Sequence, residues 1–205
     1  QVVTLQLVCT SRVKPTCSYN YLVLLLFHKS DIPCKNLIAF LGVTLLEAIQ
    51  STMSTSTEVV YNETPDMSSL KERDFSYGIV AIGETPYADS YGDDRNLTIP
   101  DGGIATLKNV CGAMDCVVVL MIGRPLVLEP YLDMVDAIVV AWFPGTEVKG
   151  ITDVLFGDYP FTGKLSRTWF RSVDQLPMNV GDEAYDPLFP YGFGLTITNP
   201  SQNVA

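Results

Sequence analysis

The stretch "GETPYADSYGDDRNLTIPDG", residues 83–102, follows the apolar run "YGIVAI" and gathers Glu84, Asp89, Asp93 and Asp94 into one polar loop. Carboxyl groups suffice for one class of reaction. Two of them flanking a glycosidic bond can hydrolyse it, one as general acid and base, the other as nucleophile about 5 to 5.5 Å away in retaining enzymes. The same residues have a plainer role, since Gly and Asp dominate turns and Pro86 and Pro100 punctuate the segment. A loop rich in Asp and Glu is more often a solvated turn than an acid/base site, and residue types alone leave both readings open.

Other chemistries lack their residues. A Ser-His-Asp or Cys-His site would have to use His28, the single histidine, and no nucleophile elbow accompanies it. No GxGxxG follows a strand-like run, no Walker A lysine occurs, and the cysteine spacing fits no zinc site. Dinucleotide, phosphate-transfer and metal chemistry are therefore not expected, and no cofactor is. A net charge of −10 repels phosphate backbones and anionic lipid surfaces, so neither nucleic acid nor membrane is an expected partner. Neutral sugars, bound by hydrogen bonds and stacking, are compatible with that charge.

The elements that must position these residues emerge from residue 41 onward. "GVTLLEAIQSTM" carries apolar residues at 43, 45, 46 and 49 and reads as a helix. "TEVVY" and "YGIVAIG" read as strands with "SSLKERD" as a polar or helical connection between them. "GIATLKNVC" is an amphipathic helix with Ile104, Leu107 and Val110 on one face, and "CVVVLMIG" and "DAIVVAWFPG" are continuously apolar strands, as expected where both sides are covered. Strands alternating with helix-length segments predict an α/β fold, doubly wound, with a mainly parallel sheet. Ligands in such sheets sit beyond the carboxyl ends of the strands. The candidate loops are then "GETPYADSYGDD", "GRPLVLEPY" and "FPGTEVKG", the last bringing in Glu147.

The first 40 residues follow no such grammar: they show neither period nor clear caps. They are read as a segment outside the domain, mis-spliced or disordered, with residues 41–205 as the domain itself. Their run "YLVLLLF" is far shorter than the roughly 18 to 20 residues that cross a bilayer. Apolar residues at 47% exclude disorder as the class of the whole chain, and 205 residues suffice for one main domain. A first residue Gln1 in place of Met leads us to expect a processed product or a fragment.

Cys9, Cys17 and Cys34 are scattered near the start, whereas Cys111 and Cys116 bracket "GAMD". That spacing allows either a bridge across a tight loop or two unpaired core thiols. The sequons "NET" at Asn62 and "NLT" at Asn96 lie in polar, turn-rich segments, while "NPS" at Asn199 is blocked by its proline. Together with the cysteine pair they lean towards a secreted glycoprotein.

Longer matches carry a family resemblance. "VAIGETPYADSYGD", "NLTIPDGG", "VCGAMDCVVVLMIGRPLVLEPYLDMVDAIVVAWFPGTE", "DVLFGDYPFTGKLSRTWFRSVDQLPMNVGD" and "YDPLFPYGFGLT" resemble the C-terminal α/β domain of plant glycoside hydrolase family 3, the β-D-glucan exohydrolases and β-glucosidases. The resemblance implies an α/β sandwich with helices on both faces of its sheet. It also implies an N-terminal barrel in cis that supplies an aspartate nucleophile, and a "GGWTI"-type segment that clamps the sugar; neither has a counterpart in these residues. The implied substrate is a β-glucan or β-glucoside, from which terminal non-reducing β-D-glucosyl residues are released with retention, in the cell wall or apoplast.

By the same resemblance the acid/base glutamate of a "GExPYxE" loop falls on Asp89. Glu84 matches the first glutamate of that motif and Glu147 the glutamate of "PGTE", both candidates for substrate contact. Cys111 and Cys116 match a family disulfide and Asn96 a glycosylation site. Two departures stand out: Asp89 is one methylene shorter than glutamate, and Val148 and Lys149 replace a Gly-x-Gly stretch although Val does not readily adopt positive φ. Ser166 stands where proline is usual. The chain is therefore expected to hold half of an active site and to be inactive alone. The competing expectation is a non-catalytic product, either a truncated, pseudogene-like fragment or a carbohydrate-binding module.

Overall fold

Six short runs, most of them apolar, become one six-stranded sheet. The computed structural model describes residues 5–10, 21–26, 43–84, 87 and 92–196. The strands are β1 (Leu5–Thr10), β2 (Tyr21–Leu26), β3 (Glu58–Asn62), β4 (Gly78–Gly83), β5 (Cys116–Ile122) and β6 (Ala137–Trp142). Their order across the sheet is β1-β6-β5-β4-β2-β3. All neighbours run parallel except β1, which pairs antiparallel with β6.

The period of two along each strand sorts the core into two layers. Val80, Ile82, Val118, Leu120, Ile122, Ile138 and Val140 face one way, where helix α3 (Asp101–Cys111) covers them with Leu107 and Val110, and Ile104 packs at the margin. Ile79, Ala81, Val117, Val119, Val139 and Ala141 face the other, against α1 (Leu45–Thr52) and α4 (Lys149–Leu155) through Leu45, Ile49 and Ile151. Covered on both faces, β4 to β6 have no need of polar residues, which is why their sequences are continuously apolar. The polar connection "SSLKERD" overlaps α2 (Met67–Lys71), started by Asp66, whose side chain accepts the Ser69 N–H at 3.1 Å.

Two stretches within the first 40 residues, Leu5–Thr10 and Tyr21–Leu26, belong to the sheet. They contribute β1 at one edge of the sheet and β2 between β3 and β4. A six-residue apolar run such as "YLVLLL" has no period of its own to distinguish a doubly covered strand from other buried segments. Cys17, His28, Cys34 and Asp89 lie outside the described residues.

The strand order places a topological switch between β2 and β4: the chain moves one way from β2 to β3 and the opposite way from β4 through β5 to β6. That is the position at which open α/β sheets form a ligand crevice, and the loop leaving β4 borders it. Beyond α4 the chain is largely irregular as far as residue 196, apart from a short 3-10 turn (Val173–Gln175). It is anchored by Trp169, a fully buried side chain whose indole N–H donates to the Leu126 carbonyl at 2.7 Å. Trp169 also pairs with Phe189 through backbone hydrogen bonds, so a segment without long regular elements still reaches the core. Among the described residues, no helix is long and apolar enough to cross a membrane.

Candidate active site

Parallel pairing sets the carboxyl ends of β4, β5 and β6 side by side, with Gly83 opposite Met121 and Ile122 opposite Trp142. The residues that follow, Glu84, Gly123 and Phe143, therefore leave the sheet as neighbours. Glu84 is the most enclosed of the charged groups there, its side chain 8% exposed. Its Oε1 accepts from Arg124 Nε at 2.8 Å, and its Oε2 accepts from the Tyr87 hydroxyl at 3.3 Å and the Gly123 N–H at 3.4 Å. The carboxylate is thus paired and hydrogen-bonded, as an enclosed charge must be.

Arg124 continues the network. Its Nη1 donates to the Gly92 carbonyl, and its guanidinium lies over the Tyr87 ring, 4.3 Å from the centroid. Burial first, then the negative charge of Glu84, pushes the Tyr87 phenol above its ordinary range. Tyr87 meets Phe143 edge to face with ring centroids 6.3 Å apart. Phe143 has φ 41° and is 68% exposed, a large apolar side chain held in the left-handed region at a strand exit. Gly123 makes this crowding feasible: a Cβ there would lie 1.9 Å from Phe143 Cζ and 2.6 Å from the Tyr87 hydroxyl.

Glu147 sits in the adjacent strand-exit loop, exposed; its N–H donates to Pro144 O at 3.1 Å and its Oε1 accepts from the Thr146 hydroxyl at 3.4 Å. Both bonds stay within its own loop, apart from the Glu84 network. Val148, a departure from the Gly-x-Gly pattern, adopts φ −64° and ψ −25° and is buried against the helical layer, so a β-branched residue fits there without strain. Lys149 opens α4 and pairs with Asp153 one turn on.

Cys111 and Cys116 form a disulfide with Cα atoms 5.2 Å apart, tying the end of α3 to the start of β5. Asn96 is exposed, its N–H donating to Asp94 Oδ1 at 2.9 Å. Asn62, half-buried at the end of β3, accepts the Thr64 N–H on its own Oδ1 at 3.0 Å. Among the described residues, no group of three His, Cys, Asp or Glu side chains is arranged to hold a metal ion.

Sequence reasoning looked for carboxylates and passed over Arg124, Tyr87 and Phe143. The available signal was "GRP": a lone cation at one strand exit, facing an acidic loop at the next.

The sequence profile described as "Glycosyl hydrolase family 3 C-terminal domain" matches residues 20–197. The chain belongs to this family. Among curated relatives, a periplasmic β-glucosidase of Salmonella typhimurium is 37% identical over 145 residues, covering 58% of this chain and 19% of that protein. A xylan 1,4-β-xylosidase of Xylanibacter ruminicola is 38% identical over 117 residues, covering 52% of this chain and 14% of that protein. Among solved structures, an exo-1,3/1,4-β-glucanase from Pseudoalteromonas superposes with a TM-score of 0.78 at 28% identity, covering 94% of this chain and 34% of that one. A β-D-glucoside glucohydrolase from Trichoderma reesei, TM-score 0.75 at 22% identity, shares the fold. This family 3 domain therefore spans less than a fifth of the curated relatives' length. The match begins at residue 20, so it takes in β2 as well as the elements that follow.

Proposed function

We propose that the chain is the acid/base-bearing domain of a retaining family 3 glycosidase that releases terminal non-reducing β-D-glucosyl residues from β-glucans or β-glucosides. One observation carries the reading: the acidic loop, with Glu84 at its start, leaves β4 at the topological switch of a family 3 C-terminal domain. In this reading Asp89 protonates the leaving glycosidic oxygen and later deprotonates the water that releases the sugar. An aspartate from an N-terminal barrel in cis attacks the anomeric carbon.

The β-glucosidase and exo-β-glucanase relatives support a glucoside substrate; the xylosidase relative indicates that this domain alone does not fix the sugar. With the nucleophile elsewhere, the chain alone does not turn over. Glu147 contributes to the sugar site from the neighbouring loop, and the enclosed Glu84 serves it through its partners. Asn96, exposed, and Asn62 carry glycans, and the protein is secreted; the periplasmic relative supports an exported enzyme.

The test joins this chain to the barrel of a family 3 relative and compares Asp89, Asp89→Glu and Asp89→Ala on an aryl β-glucoside. Loss of activity in Asp89→Ala, with Asp89→Glu at or above the native level, is expected. Equal activity in all three refutes the proton-donor role.

A further inference from the structure

Phe143 carries two features that oppose folding. Its φ of 41° is left-handed, a region unfavourable for a residue with a large side chain, and the following Pro144 pushes its predecessor towards extended backbone instead. Its side chain is also 68% exposed. Among the described residues, only Phe143 is both a large exposed apolar side chain and a non-glycine residue at positive φ. Neither feature stabilises the fold, and backbone strain of this kind clusters at active sites and ligand clamps.

The ring is nevertheless held in place. Its tip sits where a side chain on Gly123 would stand, a Cβ there lying 1.9 Å from Cζ and 2.3 Å from Cε2, and Tyr87 meets it at an interplanar angle of 62°. The backbone then turns at once. Gly145 has φ 59° with no atom within 4 Å of the position its Cβ would take, and the Glu147 N–H donates to the Pro144 carbonyl at 3.1 Å. One short turn therefore presents a fixed aromatic ring and an exposed carboxylate at the end of the sheet where the strands exit, the end at which α/β sheets bind ligands.

We infer that Phe143 is a sugar-binding platform that stacks on a pyranose ring of the substrate while Glu147 accepts hydrogen bonds from its hydroxyls. A β-D-glucosyl ring carries its substituents equatorially, so its faces present C–H groups that match an aromatic plane and its hydroxyls lie at the rim, within reach of a carboxylate. A ring already fixed by Gly123 and Tyr87 loses little freedom when the sugar arrives, which favours binding. The inference rests on the reading of the chain as a glucoside-hydrolysing domain and is independent of where Asp89 lies.

The test is an NMR titration of the full chain with cellotetraose. Axial ring protons of the sugar should shift upfield in the ring current of Phe143. The apparent dissociation constant should rise about tenfold in Phe143→Ala and stay within about twofold in Phe143→Trp. Phe143→Asn, a residue that tolerates left-handed backbone, should lose the shift yet melt at or above the parent temperature. No upfield shift, a shift retained in Phe143→Ala, or a melting temperature lowered by more than about 4 °C in Phe143→Asn overturns the inference.

The barrel fusion separates a sugar contact from packing against a neighbouring domain. There Phe143→Ala should raise KM for cellotetraose about tenfold with kcat within about twofold of the parent. An unchanged KM in a Phe143→Ala fusion that melts lower than its parent assigns the ring to the domain contact and overturns the inference. Fusion activity indifferent to Asp89, with the upfield shift intact, removes the acid/base reading and leaves the platform standing.

Discussion

Replacing Trp169 perturbs the domain where its irregular C-terminal stretch meets the sheet. The side chain is fully buried, lies 6.1 Å from Trp142 and 6.4 Å from Phe189 by ring centroids, and donates to Leu126 O at 2.7 Å. Two variants separate the contributions. Trp169→Phe keeps a ring in the cluster but removes the donor, leaving the Leu126 carbonyl orphaned in a residue with no exposed surface, at a cost of about 1–3 kcal/mol. Trp169→Ala also opens a cavity, and such truncations cost about 3–5 kcal/mol. Against a domain stability of about 5–15 kcal/mol, the second change brings the fold near its limit. Urea denaturation of the full chain followed by circular dichroism measures both. Leu126 shares its loop with Arg124, and Val127 N–H donates to Leu97 O at 2.8 Å, so the perturbation reaches the candidate site through its own scaffold. A loss below about 1 kcal/mol in Trp169→Ala, or a loss of sugar binding with stability unchanged, would refute the assignment of this tryptophan to the core.

The disulfide closes a loop with a sequence separation of 5, for which chain entropy gives about 2 kcal/mol; Cys111→Ala with Cys116→Ala should lower unfolding stability by that amount, read from denaturation midpoints. The Tyr87 phenol is held above its ordinary value of 10.0, so the folded state keeps the proton that the unfolded state releases. Its contribution is full below that pH and disappears as pH rises through the higher folded value; an alkaline stability titration should show a slope that Tyr87→Phe reduces. Thr44 and Glu47 form a capping box at α1, where the backbone and then the side chain of Thr44 hold Glu47 below 4.5. Thr44→Ala should cost about 1 kcal/mol at neutral pH, and the parent's advantage should shrink as pH falls below the ordinary glutamate value, measured by thermal unfolding in a pH series.

Much of the sheet was legible because doubly covered strands leave an unmistakable record: "YGIVAI", "CVVVLMI" and "AIVVAW" have no polar residue to place, and each became a parallel strand. Two helices, α1 and α3, followed from the apolar period of "GVTLLEAIQSTM" and "GIATLKNVC", whereas α4 was not foreseen in the stretch after "FPGTE". β2 was not legible, since "YLVLLL" lacks neighbours with a period, and its place between β3 and β4 comes from pairing across the sheet. Val148 shows the limit of reading a departure from sequence alone: the family's small residues suggested a need for positive φ, yet the backbone there is helical. The carboxylates of the candidate site were visible as residue types. Their organisation was not, because the contact between Arg124 and Glu84 spans 40 positions and depends on the register between β4 and β5.

The central claim, that this domain supplies the acid/base of a retaining glycosidase, is tested most directly by azide with the Asp89→Ala barrel fusion. In a retaining mechanism the loss of the acid/base slows hydrolysis of the glycosyl-enzyme, and an anionic nucleophile that needs no deprotonation restores its turnover. With this mechanism azide accelerates consumption of a dinitrophenyl β-glucoside and yields β-glucosyl azide. Turnover indifferent to azide, or an α-configured product, would contradict it.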